Sequence, residues 1–297
     1  MKKFLIILFL FILFAISFSG CNITAENVLS GDKNVVGRYS GFKKIDLRQE
    51  LINVPEKKRL PEKYEVLMFT DIHVGAKYYD ENTVKKFFEW LDSYENKDKI
   101  SFACALGDFT DSARENQMKE YADMAEKINE RGILVFNVIG NHDLFLYNGY
   151  DVFAEYCYPN TSFFRFETRK LAWYGLDSGS GTFGSKQMDD IRFSIESETK
   201  IPVIFTHIPL KTYERGKRGL YYCLRDTTER NELIGLLNNS GCAGYFCGHF
   251  HNGGIDNLGN LTQYNLKSFG EFGKWYIVDV DESGDKPVLN VKEFSAD

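Results

Sequence analysis

The sequence has few residues that can cross-link a chain, since its 297 residues include only six cysteines. No two of them form a Cys-x-x-Cys pair, which argues against a structural zinc cluster, because such clusters use closely spaced thiolates. Cys104 and Cys247 lie in apolar, strand-like runs, so we expect both to be buried thiols. An oxidising compartment would allow a disulfide, but the sequence assigns no pairing.

Basic residues are also scarce relative to acidic ones. The chain has 36 Lys and Arg against 42 Asp and Glu, and its formal net charge is -6. Binding to nucleic acid generally depends on basic patches that displace counterions from phosphates, so we expect no nucleic-acid binding. Core-forming residues are plentiful, since 43% of the chain is hydrophobic. This composition is typical of a packed domain rather than of a disordered chain.

Long apolar runs are absent except at the start, where Phe4–Ile16 follows Lys2 and Lys3. A membrane-spanning helix needs about 18 or more apolar residues, and this shorter run is typical of an export signal. The small residues before Cys21 resemble a bacterial lipoprotein signal, in which the chain is cut before a cysteine that becomes acylated. We therefore predict a signal peptide over residues 1–20 and a lipid on Cys21.

Such a lipid would attach the protein to the cell membrane or the outer membrane, on the side facing away from the cytoplasm. The alternative is an uncleaved N-terminal anchor helix, which places the domain on the same side. Residues 21–60 are polar and charged without sustained periodicity, and we interpret them as a tether or linker that reaches the domain, with partial packing against it as the alternative. Residues 61–297 are predicted to form that domain.

Within the domain, short apolar runs alternate with amphipathic helices, as in a layered α/β domain with a buried sheet. The predicted strands are Tyr64–Thr70, Ile100–Leu106, Ile133–Ile139, Leu171–Leu176, Pro202–Thr206 and Ala243–Cys247. After these, residues 261–266, 274–280 and 288–294 are expected to form a closing antiparallel set.

Four helices are predicted between these strands. The second follows Asp111, which we interpret as its cap, with a supporting role beside a metal ligand as the alternative. The fourth begins at Asp226, and Glu229 stands three residues later, as in a capping box.

The five histidines share one position relative to the strands, because each follows an apolar run. They are His73, His142, His207, His249 and His251. In open α/β sheets, ligands bind at the carboxyl ends of the strands, so these side chains are expected to meet at one edge with several carboxylates. Imidazole with carboxylate suits Mn, Fe or Zn. There are too many groups for one four-ligand ion, and two ions about 3.5–4 Å apart would use most of them.

The motifs around these histidines resemble those of the calcineurin-like metallophosphoesterase family. They are Asp71-Ile72-His73, Gly107-Asp108 with Asp111, Gly140-Asn141-His142-Asp143, the lone His207 and Gly248-His249-Phe250-His251. Their order matches the family, and they span residues 71–251. The resemblance implies a layered β-sandwich flanked by helices, with metal ligands at the carboxyl ends of strands.

The resemblance also implies a role for each residue. Asp71, His73 and His251 would hold a first divalent ion, Asn141, His207 and His249 a second, and Asp108 would bridge both. A water between the ions would become the hydroxide that attacks phosphorus. His142 would stabilise the phosphoryl group or protonate the leaving alkoxide, and Asp143 would orient the His142 ring.

The expected function is hydrolysis of a small-molecule phosphomonoester or phosphodiester, with the substrate and the oligomeric state left open. The alternative is a catalytically inactive, lipid-anchored protein that binds a phosphate ligand on the same scaffold. Purple acid phosphatases are disfavoured, because the stretch Gly107–Asp111 ends in Asp where that class has its tyrosine, and because His73 is present.

Two loops carry weaker signals. The glycine-rich segment 179–186 is not a phosphate-binding P-loop, since its lysine does not follow the last glycine directly. The segment 211–225 is rich in cations and tyrosines, and two interpretations stay open: a solvated charged loop, or a surface that recognises substrate.

Overall fold

The computed structural model describes residues 35–52, 60–146, 148–212 and 222–296. The predicted signal peptide and Cys21 lie outside these ranges. Within them, no helix has the length and apolar character needed to cross a membrane.

Two sheets pack face to face and form the centre of the fold. The first has seven strands in the order β1-β5-β6-β7-β8-β10-β9, and the second has five in the order β12-β11-β2-β3-β4. The strands are β1 Lys43–Ile45, β2 Lys63–Phe69, β3 Ile100–Ala105, β4 Leu134–Asn137, β5 Phe164–Glu167, β6 Leu171–Gly175, β7 Ile201–Phe205, β8 Gly244–Cys247, β9 Gly254–Leu258, β10 Leu261–Asn265, β11 Lys274–Asp281 and β12 Val288–Ser295.

Helices cover the outer faces of both sheets. They are α1 Val35–Arg38, α2 Leu47–Ile52, α3 Glu81–Ser93, α4 Glu115–Asn129, α5 Gly149–Tyr156, α6 Gly184–Glu196, α7 Thr227–Asn239 and α8 Phe269–Phe272, with 3₁₀ turns at Lys97–Lys99 and His142–Leu144.

Three hydrophobic clusters hold these layers together. The central one joins the facing sides of the two sheets, with Phe102 from one sheet against Trp173 from the other. The second lies between the five-stranded sheet and helices α3, α4 and α5, and the third lies under α6 and α7. The predicted layered β-sandwich flanked by helices is confirmed.

Residues 35–52, within the predicted tether, pack against the domain. Strand β1 pairs in parallel with β5 at the edge of the seven-stranded sheet. Before it, the buried Arg38 forms an ion pair with the buried Asp177, with Arg38 Nε 2.7 Å from Asp177 Oδ2. The chain is polar here, but its few apolar side chains and this ion pair attach it to the domain.

Of the two predicted helix caps, one differs from the structure and one is confirmed. Helix α4 begins at Glu115, with Arg114 at the N-cap and no side-chain cap, so Asp111 does not cap it. Asp226 does cap α7, as predicted, by accepting from the backbone N–H groups of Thr228 and Glu229. The Glu229 carboxylate is engaged elsewhere, since it accepts from the backbone N–H groups of Phe183 and Gly184.

The expected antiparallel set at the end of the chain is divided between the two sheets. Strand β10 pairs in parallel with β8 and antiparallel with β9, whereas β11 pairs antiparallel with β2. Strands β1, β5 and β9 and helices α1, α2, α5 and α8 are additional to the prediction. Each is short, so its pattern of apolar residues covers too few positions to indicate a period.

Candidate metal centre

The predicted ligands converge because the strands that precede them run in parallel in each sheet. Strands β2, β3 and β4 are neighbours and end just before Asp71, Asp108 and Asn141. Strands β7 and β8 are neighbours in the other sheet and end just before His207 and His249. Since the two sheets face each other, the loops at their carboxyl ends meet at one edge.

Asp71, His73 and His251 form the first cluster of possible ligands. His73 Nε2 and His251 Nε2 lie 3.2 Å apart. The Oδ1 atom of Asp71 lies 3.7 Å from His73 Nε2 and 3.4 Å from His251 Nε2. Its Oδ2 atom accepts from the Thr70 hydroxyl at 2.8 Å and from the His249 backbone N–H at 3.0 Å. These bonds leave Oδ1 facing the two imidazoles.

Asp108, His207 and His249 form the second cluster. His207 Nε2 lies 3.2 Å from Asp108 Oδ2 and 3.0 Å from the amide oxygen of Asn141. His207 Nδ1 lies 2.8 Å from the Leu106 carbonyl, which fixes the ring with Nε2 toward the cluster. The three residues assigned to the second ion therefore lie together with Asp108, the residue assigned to bridge both ions. They are Asn141, His207 and His249.

Asp108 links the two clusters through a single oxygen. Its Oδ2 atom is 3.6 Å from His73 Nε2 and 3.2 Å from His207 Nε2. Its other oxygen, Oδ1, accepts from the backbone N–H of His142 at 2.7 Å. Only Oδ2 is therefore positioned to face both clusters.

The backbone is strained at several ligands. The φ angles are 52° at Asp71, 52° at His73, 54° at Asp108 and 67° at His249, all in the left-handed region. Non-glycine residues rarely adopt this conformation, and clusters of such residues are typical of functional sites. A Cβ atom at Gly140 would collide with Asp108, so a glycine is required for the close approach of these two loops.

His142 and Asp143 lie beside the clusters but do not interact as predicted. The His142 ring contacts the backbone carbonyl of Asp111, with Nδ1 at 2.7 Å. The buried Asp143 carboxylate accepts from the Thr110 backbone N–H and from the Gly140 backbone N–H, each at 3.0 Å. Asp143 therefore joins two ligand loops, whereas the Asp111 carbonyl orients the His142 ring. His142 also lies in a third group of possible ligands, with His73 and Asp108.

The charges of the site are strongly coupled. Burial opposes ionisation of Asp71, but hydrogen bonds to His251 and His73 overcome it and lower its pKa well below the usual range. Burial similarly opposes the charge on His207, but the Asp108 carboxylate raises the pKa of His207 to about 9. Contacts with Asp71 and Glu271 likewise raise the pKa of His251 to about 9, against the effect of burial. Burial and the positive charge of His207 lower the pKa of His249 to about 4.

The donor set fits two divalent cations. Buried carboxylate oxygens and imidazole nitrogens face one another at 3.2–3.7 Å around Asp71, His73, Asp108 and His207. In the metal-free protein, protons on His207 and His251 balance the carboxylates. Metal ions would displace these protons and take up the same lone pairs.

Several side chains at this site were not predicted from the sequence. Glu271 lies on the short helix α8, and its Oε2 atom is 2.6 Å from His251 Nδ1. Tyr78 and Phe145 also contact site histidines. Neither residue stands in a motif or in a periodic apolar pattern, which is why the sequence did not indicate them.

The two loops with weaker signals have different outcomes. In the glycine-rich segment, the Thr182 hydroxyl and the backbone N–H groups of Phe183 and Gly184 bond to Glu229, which agrees with its exclusion as a phosphate cradle. Most of the cationic loop, residues 213–221, lies outside the described residues. Tyr222 is described, and its ring centroid is 6.1 Å from that of His249.

Comparisons with known proteins agree with this geometry. The family model described as calcineurin-like phosphoesterase matches residues 64–253, which include all the predicted ligands. No curated protein sequence matches.

Among solved structures, GAP50, the anchor in the inner membrane complex of Plasmodium, is similar with a TM-score of 0.56 and 13% identity, over 79% of this chain and 85% of that one. A purple acid phosphatase from yellow lupin is similar with a TM-score of 0.57 and 12% identity, over 82% of this chain and 53% of that one. Because these sequence identities are low, the similarity to both structures concerns the fold alone.

Proposed function

This chain belongs to the calcineurin-like phosphoesterase family, and we propose that it is a phosphohydrolase that uses two divalent metal ions. Asp108 carries this proposal. One of its oxygens lies 3.6 Å from a histidine of the first cluster and 3.2 Å from a histidine of the second, as a bridging ligand requires. Mn, Fe and Zn all suit the mixture of imidazole, carboxylate and amide donors.

The ligands divide between the two ions as follows. Asp71, His73 and His251 would hold one ion, Asn141, His207 and His249 the other, and Asp108 both. When bound, such a pair of ions supplies an acidified water as nucleophile and stabilises the charge on the attacking and leaving oxygens.

His142 would act on the substrate rather than on the metals. Its Nδ1 faces the Asp111 carbonyl, which accepts a hydrogen bond and so favours a proton on Nδ1. When the ring is doubly protonated, the other nitrogen, Nε2, carries a second proton that it can donate to the leaving alkoxide or to a phosphoryl oxygen. The backbone N–H of the same residue donates to Asp108, so the His142 ring is positioned relative to the shared ligand.

The test is hydrolysis of chromogenic phosphomonoesters and phosphodiesters by the purified protein with Mn²⁺, with and without chelator. Asp108→Asn should weaken both metals and abolish turnover, whereas Asp111→Asn, which leaves the carbonyl on His142 intact, should keep two metals per chain. Turnover that survives complete removal of metal would refute the proposal. Binding of phosphate without turnover of any phosphoester would instead identify the inactive binding protein.

We also propose that the protein is exported and lipid-anchored through Cys21. The support is the short apolar run Phe4–Ile16 followed by small residues and a cysteine. A label from a metabolically supplied fatty acid should appear on the wild type and be lost in Cys21→Ser. Absence of label on the wild type, with the protein still in the membrane fraction, would favour the uncleaved anchor helix.

A further inference from the structure

Exposed aromatic side chains surround the candidate metal centre. Tyr78 is 40% exposed, Phe145 54% and Tyr222 38%. They come from three separate loops, which follow β2, β4 and β7. Single exposed hydrophobic residues are common on protein surfaces and need no explanation, but these three share one feature, because each contacts the ring of a site histidine.

The contacts lie on different sides of the site. The Tyr78 ring centroid is 5.7 Å from that of His73 and 6.1 Å from that of His251, with the planes nearly perpendicular in both pairs. The ring of Phe145 lies 4.2 Å from that of His142. These two residues therefore flank the first cluster and the proposed acid.

Tyr222 flanks the second cluster. Its ring is 6.1 Å from that of His249 and 5.4 Å from that of Phe250, which lies between the two histidines of one motif. Aromatic side chains therefore lie beside both clusters and beside His142.

From this arrangement we infer that the natural substrate carries a planar aromatic or heteroaromatic ring close to its phosphate. This inference rests on the proposed function, because it places the scissile phosphate at the metals. The ester group of a phosphate bound at the metals would lie beside Tyr78, Phe145 and Tyr222. If the esterified alcohol carries a planar ring, that ring can stack on these side chains. Two sources share this chemistry: an aryl phosphate, with the ring on the ester oxygen, and a nucleotide, with the ring on a sugar.

Stacking on an aromatic side chain contributes roughly 5- to 150-fold in affinity per ring, by comparison with nucleic-acid bases. A sugar phosphate or glycerol phosphate lacks a planar ring that could stack on these side chains. The rings should therefore discriminate in favour of planar groups, and not simply in favour of apolar ones.

Binding is tested first with phosphonates, which the protein cannot hydrolyse at the C–P bond. Phenylphosphonate and cyclohexylphosphonate have similar size and apolar area, but only the former is planar. Calorimetric titration of the Mn²⁺-loaded protein should show phenylphosphonate bound at least about 5-fold more tightly. Equal affinities would overturn the inference, because they would indicate plain hydrophobic contact.

The aromatic residues are tested by replacing each with leucine, which keeps apolar bulk and removes the ring. Tyr78→Leu, Phe145→Leu and Tyr222→Leu should each reduce the preference for phenylphosphonate while leaving two metals per chain. Phe193→Leu is the matched control, because Phe193 is 75% exposed on helix α6. An unchanged preference in all three site variants would contradict the inference.

Measurements of hydrolysis then distinguish an aryl phosphate from a nucleotide as the substrate. They also test this inference separately from the proposed function. For each variant, the loss in kcat/KM is compared among phenyl phosphate, adenosine 5′-monophosphate and ribose 5-phosphate, so that intrinsic reactivity cancels. A loss confined to phenyl phosphate identifies an aryl substrate, and one confined to the nucleotide identifies a base. Equal losses including ribose 5-phosphate would overturn the ring preference alone. Planar binding without hydrolysis of any ester would support the inference and overturn the hydrolase.

Discussion

His251 and Glu271 are joined by a hydrogen bond in which Nδ1 of the imidazole lies 2.6 Å from Oε2 of the carboxylate. The bond fixes the other nitrogen, Nε2, toward Asp71 and His73. Glu271 is itself held by helix α8, whose Ser268 hydroxyl accepts from the Glu271 backbone N–H at 3.0 Å and donates to the Asp71 carbonyl at 2.8 Å. One short helix thus positions two ligands of the first cluster.

Glu271→Ala should weaken one metal of the two. Partners that orient a ligating histidine typically contribute about 10- to 100-fold to metal affinity, and Glu271→Gln should lose less, since its amide oxygen still accepts from Nδ1. Titration of the metal-free protein with Mn²⁺ measures each site. As a control, Glu120→Ala removes a carboxylate that bonds only to the Tyr79 hydroxyl among the described residues. Equal weakening of both sites by Glu271→Ala would contradict a role confined to His251.

His142→Ala should lower kcat by about 10²- to 10⁴-fold, the usual contribution of a general acid or base, with a smaller change in KM. The loss should be less for a nitrophenyl ester, because nitrophenolate leaves without protonation. Elemental analysis decides the competing role, since His142 also lies near His73 and Asp108. If the variant holds one ion instead of two, His142 is a ligand. An equal loss for good and poor leaving groups would leave charge stabilisation as its role.

The metal-free protein should become less stable as the pH rises from 6.5 to 9. His207 and His251 have pKa values of about 9 in the folded chain, against about 6.5 when unfolded. Their stabilising contribution is therefore complete below pH 6.5 and is lost as the pH passes through 9. His249, with a pKa of about 4, acts in the opposite direction below pH 6.5. Stability should thus be greatest near pH 6.5.

Thermal unfolding in chelator, followed from pH 5 to pH 10, measures this dependence. In a domain of this size each 1 kcal/mol of lost stability lowers Tm by roughly 2–4 °C. His251→Gln should reduce the decline above pH 6.5, and saturating Mn²⁺ should reverse it, because metal binds the neutral imidazoles. A Tm that is constant or rises between pH 6.5 and 9 in chelator would show that these histidines are neutral without metal.

Arg38→Met should destabilise the domain although Arg38 lies in the segment predicted as a tether. Both of its guanidinium bonds to Asp177 are buried, at 2.7 and 2.8 Å, and removal of one partner leaves an unpaired buried charge. Such a loss costs about 3–5 kcal/mol. Denaturant unfolding measures it, and the double variant Arg38→Met/Asp177→Leu should recover much of the loss. Lys63→Met, at the exposed pair with Asp281, is the control and should change little.

Asp177 also connects this segment to the metal centre. Its Oδ1 atom accepts from the backbone N–H of Gly179, and a Cβ atom at Gly179 would be in tight contact with the Gly140 carbonyl, next to Asn141. A variant of Arg38 that remains folded is therefore expected to alter activity as well as stability. If Arg38→Met has neither effect, the N-terminal segment is not an integral part of the domain.

The sequence by itself determined the strands of the two sheets that end at the site, and the residues that follow them. Buried parallel strands read as continuous apolar runs, so β2, β3, β4, β7 and β8 are visible without any knowledge of their neighbours. Each ligand comes within four residues of such a run, as with Asp71 after β2 and His207 after β7. The residue types and the direction of each strand were therefore sufficient to predict these ligands.

Only the tertiary structure decided which groups surround those ligands. Glu271 reaches His251 because β11 returns to pair with β2 and brings helix α8 against the Asp71 loop. Arg38 is buried because β1 adds to the edge of a sheet. The Asp111 carbonyl, and not the Asp143 carboxylate, contacts the His142 ring because a turn sets the direction of each side chain. These contacts depend on how distant segments pack, and short helices, edge strands and turns have too few residues to form a pattern that predicts them.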